Sequence, residues 1–200
     1  MKKFYCTEND SYATLGQQFT IGEVTYPHNW LDHANAEDLV HVGLVEVAVI
    51  GEAADDRFFD NIETLSGATL TITQILKPIT HVIAIRWSEI KAERDLRTEN
   101  GGYKVGASWF HSDQKSRSQQ LGLVLLGASI PANLQWKTMD GSFVTMTPTL
   151  AQQLLGAAAA SDQAIFAAAE THKAAMEASA DPASYDFSGG WPSAFGEQPE

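Results

Sequence analysis

Six histidines and a single cysteine are where metal or nucleophilic chemistry would have to start in this 200-residue chain. His111, Ser112 and Asp113 stand in a row, and imidazole and carboxylate are common metal ligands. They sit at an expected strand-to-helix boundary, where Ser112 or Asp113 can accept the unpaired N–H groups of the first helical turn, so a cap is the better reading. His28 and His33 have a spacing that ligands use, but the surrounding turn offers no Cys, Glu or third histidine at a supporting distance. Cys6 ends a strand-like Phe4-Tyr5-Cys6 run with no histidine beside it to make a thiolate, so it reads as a small buried hydrophobe. Nothing resembles a nucleophile elbow. Gly101-Gly102 and Gly189-Gly190 lack the strand–glycine–helix setting and the Lys-Ser/Thr of a phosphate loop, and read as turns. The expectation is therefore no catalytic, cofactor-binding or metal-binding residues, no cofactor, and a protein that is not an enzyme.

Charge and composition narrow the partners. A net charge of -12 disfavours a nucleic-acid groove, which needs a local excess of Lys and Arg. The basic residues that do gather, Lys91, Arg94, Arg97, Lys104, Lys115 and Arg117, read as a solvated helix face. No apolar run approaches the ~20 residues of a membrane span, and the Met1-Lys2-Lys3 start lacks an apolar stretch fit for a signal peptide. Neither secretion by that route nor membrane insertion is expected. One cysteine allows no internal disulfide, in keeping with a reducing cytoplasm.

The elements that would position these residues fall into three regions: a β-rich unit over 1–80, an α+β module over 81–181, and an extended aromatic, Gly- and Pro-containing tail over 182–200. In the first, Phe19 to Tyr26 is a hairpin turning at Gly22-Glu23. Asn29 and Asn35 are helix caps, the second opening Ala36 to His41. Leu44 to Ile50 is a half-buried strand, and Arg57 to Phe59 and Ala68 to Leu76 are further strand candidates. In the second, a charge-dense helix stops at Asn100-Gly101-Gly102, and Tyr103 to Phe110 is a strand pair or a single strand broken by Gly106. Gln114 to about Gly127 is a helix with Leu121, Val124 and Leu125 on its inner face and Gln119 and Gln120 outside. Asp140-Gly141 turns a hairpin, and Thr147-Pro148 opens a long alanine-rich helix to about Ser179, with a break near Gly156. Larger apolar positions on that helix are Leu150, Leu154, Leu155, Ile165, Phe166 and Met176.

Tryptophans 87, 109 and 136 fall inside elements and read as core. Tyr185, Phe187 and Trp191 lie in the tail, where two readings stand side by side: folding back on the chain's own helices, or anchoring a partner. These three are the candidate partner-binding residues.

Several motifs in order, Ile90-Lys91-Ala92-Glu93-Arg94-Asp95, Gly101-Gly102-Tyr103-Lys104-Val105-Gly106, Trp109-Phe110-His111-Ser112-Asp113, and Trp136-Lys137-Thr138 with Asp140-Gly141 and Thr147-Pro148, resemble a C-terminal domain of unknown function of tailed-bacteriophage proteins. Tyr26-Pro27, Asn29-Trp30-Leu31 and Asp55 to Phe59 resemble the entry segment of such proteins more weakly. The resemblance implies a tail or tail-fibre-associated component, with other tail or fibre proteins as partners and a homo-oligomer as its state. It places the chain in the virion tail, and in the host cytoplasm during assembly. A tail-fibre assembly chaperone that leaves before maturation is the alternative. It brings no catalytic residues to carry over.

Overall fold

A computed structural model describes residues 2–197. The fold is α+β and divides into two units, Met1–Pro78 and Ile79–Glu200.

In the first unit, β1 (Lys3–Cys6) is the middle strand of an antiparallel sheet, between β2 (Ser11–Thr14) and β5 (Leu44–Glu46). Its alternation sends Phe4 and Cys6 inward. There they meet Ala13, Ile21, Leu31 and Leu44. β3 (Phe19–Ile21) and β4 (Val24–Tyr26) form the expected hairpin, and Phe19, Tyr26 and Trp30 close over this core with ring centroids 4.9–5.8 Å apart. Two short helices follow, α1 (Trp30–His33) and α2 (Ala36–His41). Asn35 caps the second as expected: its Oδ1 accepts from Glu37 and Asp38 N–H, and Asp38 reaches back to the Asn35 N–H. Asn29 stands at the cap position of α1 but makes no side-chain cap bond.

The strand expected over Leu44 to Ile50 is two. Val47 is buried and its N–H bonds to the Lys3 carbonyl, ending β5 there. The chain then leaves as β6 (Ala48–Ile50) into a second sheet of order β6-β8-β7, with β7 (Phe59–Ser66) and β8 (Thr69–Leu76). β7 runs well past the expected Phe59. Its continuation, Asp60 to Ser66, carries little apolar signal and is held by an unbroken eight-pair register with β8 across the turn at Gly67-Ala68.

In the second unit, α3 (Ile79–Asn100) is followed by the hairpin of β9 (Tyr103–Val105) and β10 (Ser108–Phe110). Gly102, at φ +72°, lies so close to Met139 and the Phe110 carbonyl that a side chain there would collide with both. α4 (Gln114–Leu126) is capped by Asp113, whose Oδ1 accepts the Ser116 N–H at 2.9 Å. β11 (Gln135–Lys137) and β12 (Phe143–Thr145) flank the Asp140-Gly141 turn. Thr147 caps α5 (Pro148–Ala178), with Pro148 in its first turn. The helix is continuous through Gly156, so the expected break is absent. Buried Ala151, Ala158 and Ala169 let neighbouring elements come close to it.

Two further expectations change. On α4 the buried residues are Gln120 and Leu123, while Leu121 and Leu125 face solvent. The tail is not an extended appendage: Pro182–Ser184 forms a 3-10 turn, and the residues after it lie back on α3 and α5.

Candidate functional site

The residues with chemical potential are engaged in holding the second unit together. Asp113 is spent on its cap, and the Ser116 hydroxyl and N–H hold its carboxyl below the usual carboxylate range. Ser112 is buried, accepts the Gly102 N–H at 3.0 Å and donates to the Glu99 carbonyl at 3.0 Å, tying the end of α3 to the start of α4. Arg117 makes a two-pronged pair with Asp162 on α5, at 2.6 and 2.8 Å, and also donates to the Ser112 and Thr98 carbonyls. This pair raises the Arg117 pKa, so its charge is permanent. Gln120, only 4% exposed, links the Tyr103 hydroxyl to the His111 carbonyl. Burial pushes the Tyr103 hydroxyl up to about 12, which leaves it neutral and unsuited to act as a base near neutral pH. Each of the donors named here meets a carbonyl, carboxylate, hydroxyl or amide oxygen of the same unit. Among the described residues, no three His, Cys, Asp or Glu side chains come together as a metal group. His33 lines a shallow pocket with Asn29, Trp30 and Asp38, and His28 does not join it. Cys6 is buried.

Tyr185, Phe187 and Trp191 are brought together, but inward. They pack on Ile90, Ala169 and Met176, with Ile83 and Trp87 alongside. His172 of α5, buried and unsuspected in the sequence, has its Nδ1 3.0 Å from the Tyr185 hydroxyl, and its ring centre lies 5.0 Å from that of Trp191. Trp191 Nε1 donates to the Phe187 carbonyl at 2.7 Å, and the Arg97 guanidinium stands 5.4 Å from its ring centre. Farther along, the Phe195 N–H donates to the Gly101 carbonyl at 2.8 Å, and Glu197 pairs with Arg97 at 3.0 Å. In this fold the three aromatics, each half-buried, pack on their own unit.

What the chain presents instead are two unpartnered surfaces, one in each unit. In the first unit the segment after β6 crosses one face of the second sheet. There Gln74 donates to the Glu52 carbonyl, and Asn61 exchanges two 2.8 Å bonds with the Ala54 backbone. The opposite face is bare: Ile50, Ile62 and Ile75 are 58%, 46% and 48% exposed. They stand among Thr64, Thr71 and Thr73, which cross-strand register places on the same side. The outer edge of β7 is open as well. Lys77 N–H bonds to the Phe58 carbonyl while Phe59 N–H turns the other way, to the Asp55 carbonyl. Even-numbered residues of β7 thus bond to β8, and Asn61, Glu63 and Leu65 direct their N–H and C=O groups outward, where no backbone of the described residues meets them.

In the second unit, α4 carries apolar residues on two sides. Leu123 faces the core, but Leu121, Leu125 and Leu126 are 48%, 80% and 50% exposed. Across a groove of about 330 Å³ stands Leu155 of α5, also 46% exposed, with Ala159 beside it. The sequence carried a signal for this: the run Leu121 to Leu126 holds five apolar residues in six, more than one helix face can bury.

Residues 82–189 match the family model described as a domain of unknown function (DUF4376). No curated protein and no solved structure matches the chain.

Proposed function

The chain belongs to the DUF4376 family through the greater part of its second unit, and on that premise we propose that it is a non-enzymatic structural component of a tailed-bacteriophage virion, connecting or decorating tail-fibre or baseplate proteins through its first unit. The observation that carries this is the second sheet of that unit. A three-stranded sheet with a bare Ile/Thr face and an open eight-residue edge strand is marginal by itself, and its hydrogen-bonding groups are laid out to accept another strand. Of the usual protections of an edge β7 has only the charges of Asp60 and Glu63: it contains no Pro or Lys, its register has no bulge, and it is not short. The phage setting rests on the resemblance of the ordered motifs in the second unit. With Ser112, Asp113, Arg117 and Gln120 engaged inside it and Tyr185, Phe187 and Trp191 packed on its own helices, that unit supplies a scaffold.

Mass spectrometry of purified particles tests the reading. A stoichiometric amount of this chain in mature virions is expected. Its presence in infected cells but absence from purified particles would sink the proposal in favour of an assembly chaperone.

A further inference from the structure

We infer that the α4–α5 face of the second unit is a self-association surface, on which a second copy of this chain seats its own α4 across the first in an antiparallel, twofold-related contact. The inference deepens the structural reading above and rests on it only for its biological purpose.

The face is apolar and large enough. Taking roughly 150–200 Å² for a wholly exposed large apolar side chain, Leu121, Leu125, Leu126 and Leu155 at their stated exposures present on the order of 400 Å². Ser118, Gln119, Gly122 and Ala159 lie among or beside them, which brings the face to the roughly 600 Å² per partner at which specific interfaces begin. An apolar patch of about 400 Å² is on the scale of the largest patch of a monomer, which is often functional.

Charge selects the occupant. The chain carries -12, so most ways of bringing two copies together set carboxylates against carboxylates. This face is the exception: Ser118 to Ser129 contains no charged residue, nor does Pro148 to Ser161. Arg117 and Asp162, which line the groove, neutralise each other. A copy of the same uncharged face can approach without repulsion, and an isologous contact sets the two faces on each other about a single axis.

Gly122 gives the contact its centre. It sits in the interior of α4 between Leu121, Leu125 and Leu126, where glycine costs the helix about 0.5–1 kcal/mol relative to alanine. Among the described residues no neighbour demands a glycine there, because a Cβ built at Gly122 meets no atom within 4 Å. A second helix crossing at Gly122, with Ser118 one turn before it, would require a small residue at that point, since small residues let two backbones approach closely.

The test uses the full chain in analytical ultracentrifugation and thermal denaturation. The wild type is expected to dimerise reversibly. Leu125→Glu should weaken the dimer at least thirtyfold while leaving the monomer's melting unchanged. Gly122→Ala is the sharper variant, because the two roles of the residue have opposite signs: the monomer should melt higher and the dimer dissociate more readily. A wild type that stays monomeric over the whole concentration range, or a dimer indifferent to both Leu125→Glu and Gly122→Ala, would overturn the inference. If the chain is monomeric yet Leu125→Glu is lost from purified virions, the face binds a different protein: self-association falls, and the structural reading stands.

Discussion

The two units handle exposed hydrophobic groups in opposite ways. The second lays Tyr185, Phe187 and Trp191 of its own terminal segment on α3 and α5, and presents its most exposed leucine, Leu125, on the uncharged face of α4. The first has a small core under β1, β2 and β5, and attaches to it a sheet that no element of its own unit covers on the Ile50, Ile62 and Ile75 side. One unit is finished except for a contact face; the other contains a part that awaits completion. A sheet tolerates this because its ladder satisfies the backbone even when a face is wet, whereas a helix pair stripped of its covering aromatics has no such internal support.

The contrast can be broken most directly at Trp191. Trp191→Ala should cost the second unit about 3–4 kcal/mol, seen as a lower denaturant midpoint for that unit, while the first unit's transition does not move; a shift of both together would mean that the two are one cooperative body. Next comes the two-sidedness of α4. Leu123→Ala should cost roughly 2–3 kcal/mol and Leu125→Ala less than about 0.5 kcal/mol in monomer stability; equal costs would erase the distinction between inner and outer leucines. In the first unit, Asn35→Ala removes the side-chain acceptor of the Glu37 and Asp38 N–H groups while keeping the residue 35 N–H bond to Asp38; it should cost about 1 kcal/mol, detectable as faster amide exchange in α2. The smallest effect is acid-dependent. Hydrogen bonds from the Thr138 hydroxyl, the Ser142 N–H and the Ser142 hydroxyl hold the Asp140 carboxyl down to about 2. Because its folded value lies below the unfolded one of about 3.9, the contribution is fully present above the unfolded value and lost as pH falls through the folded one. Amide shifts of the β11–β12 hairpin should therefore be flat above about pH 4 and move between about pH 4 and 2, and Asp140→Asn should remove that step.

How much of this was legible from the sequence follows the range of the interactions. Asn35, Asp113, Asp140-Gly141 and Thr147-Pro148 were readable because a cap or a turn is decided within three or four residues. β7 beyond Phe59 was not, since Asp60 to Ser66 owes its strand to cross-strand pairing rather than to its own apolar pattern. The division at Val47 depends on a bond to Lys3, more than forty residues away. Gln120 and His172 look like surface residues until their partners, Tyr103 and Tyr185, are in place. The leucines of α4 were visible, but a single helix offers no means of telling which of two apolar sides meets the core. The tail aromatics were singled out correctly as the unusual feature of their segment; where they dock is decided by a groove built from α3 and α5, which no local rule describes.

That docking also has a consequence in time. The Arg86 guanidinium on α3 holds the Ala183 carbonyl, a partner made 97 residues later. At translation rates of roughly 5–20 residues per second, α3 must wait about 5–20 s on the ribosome before its closing segment exists. Until then the side of α3 and α5 that Tyr185, Phe187 and Trp191 cover stays open. The unit is therefore closed last, by a clasp that arrives only when the rest of it has been synthesised, so a stalled or shortened product would expose the very surface the complete one conceals.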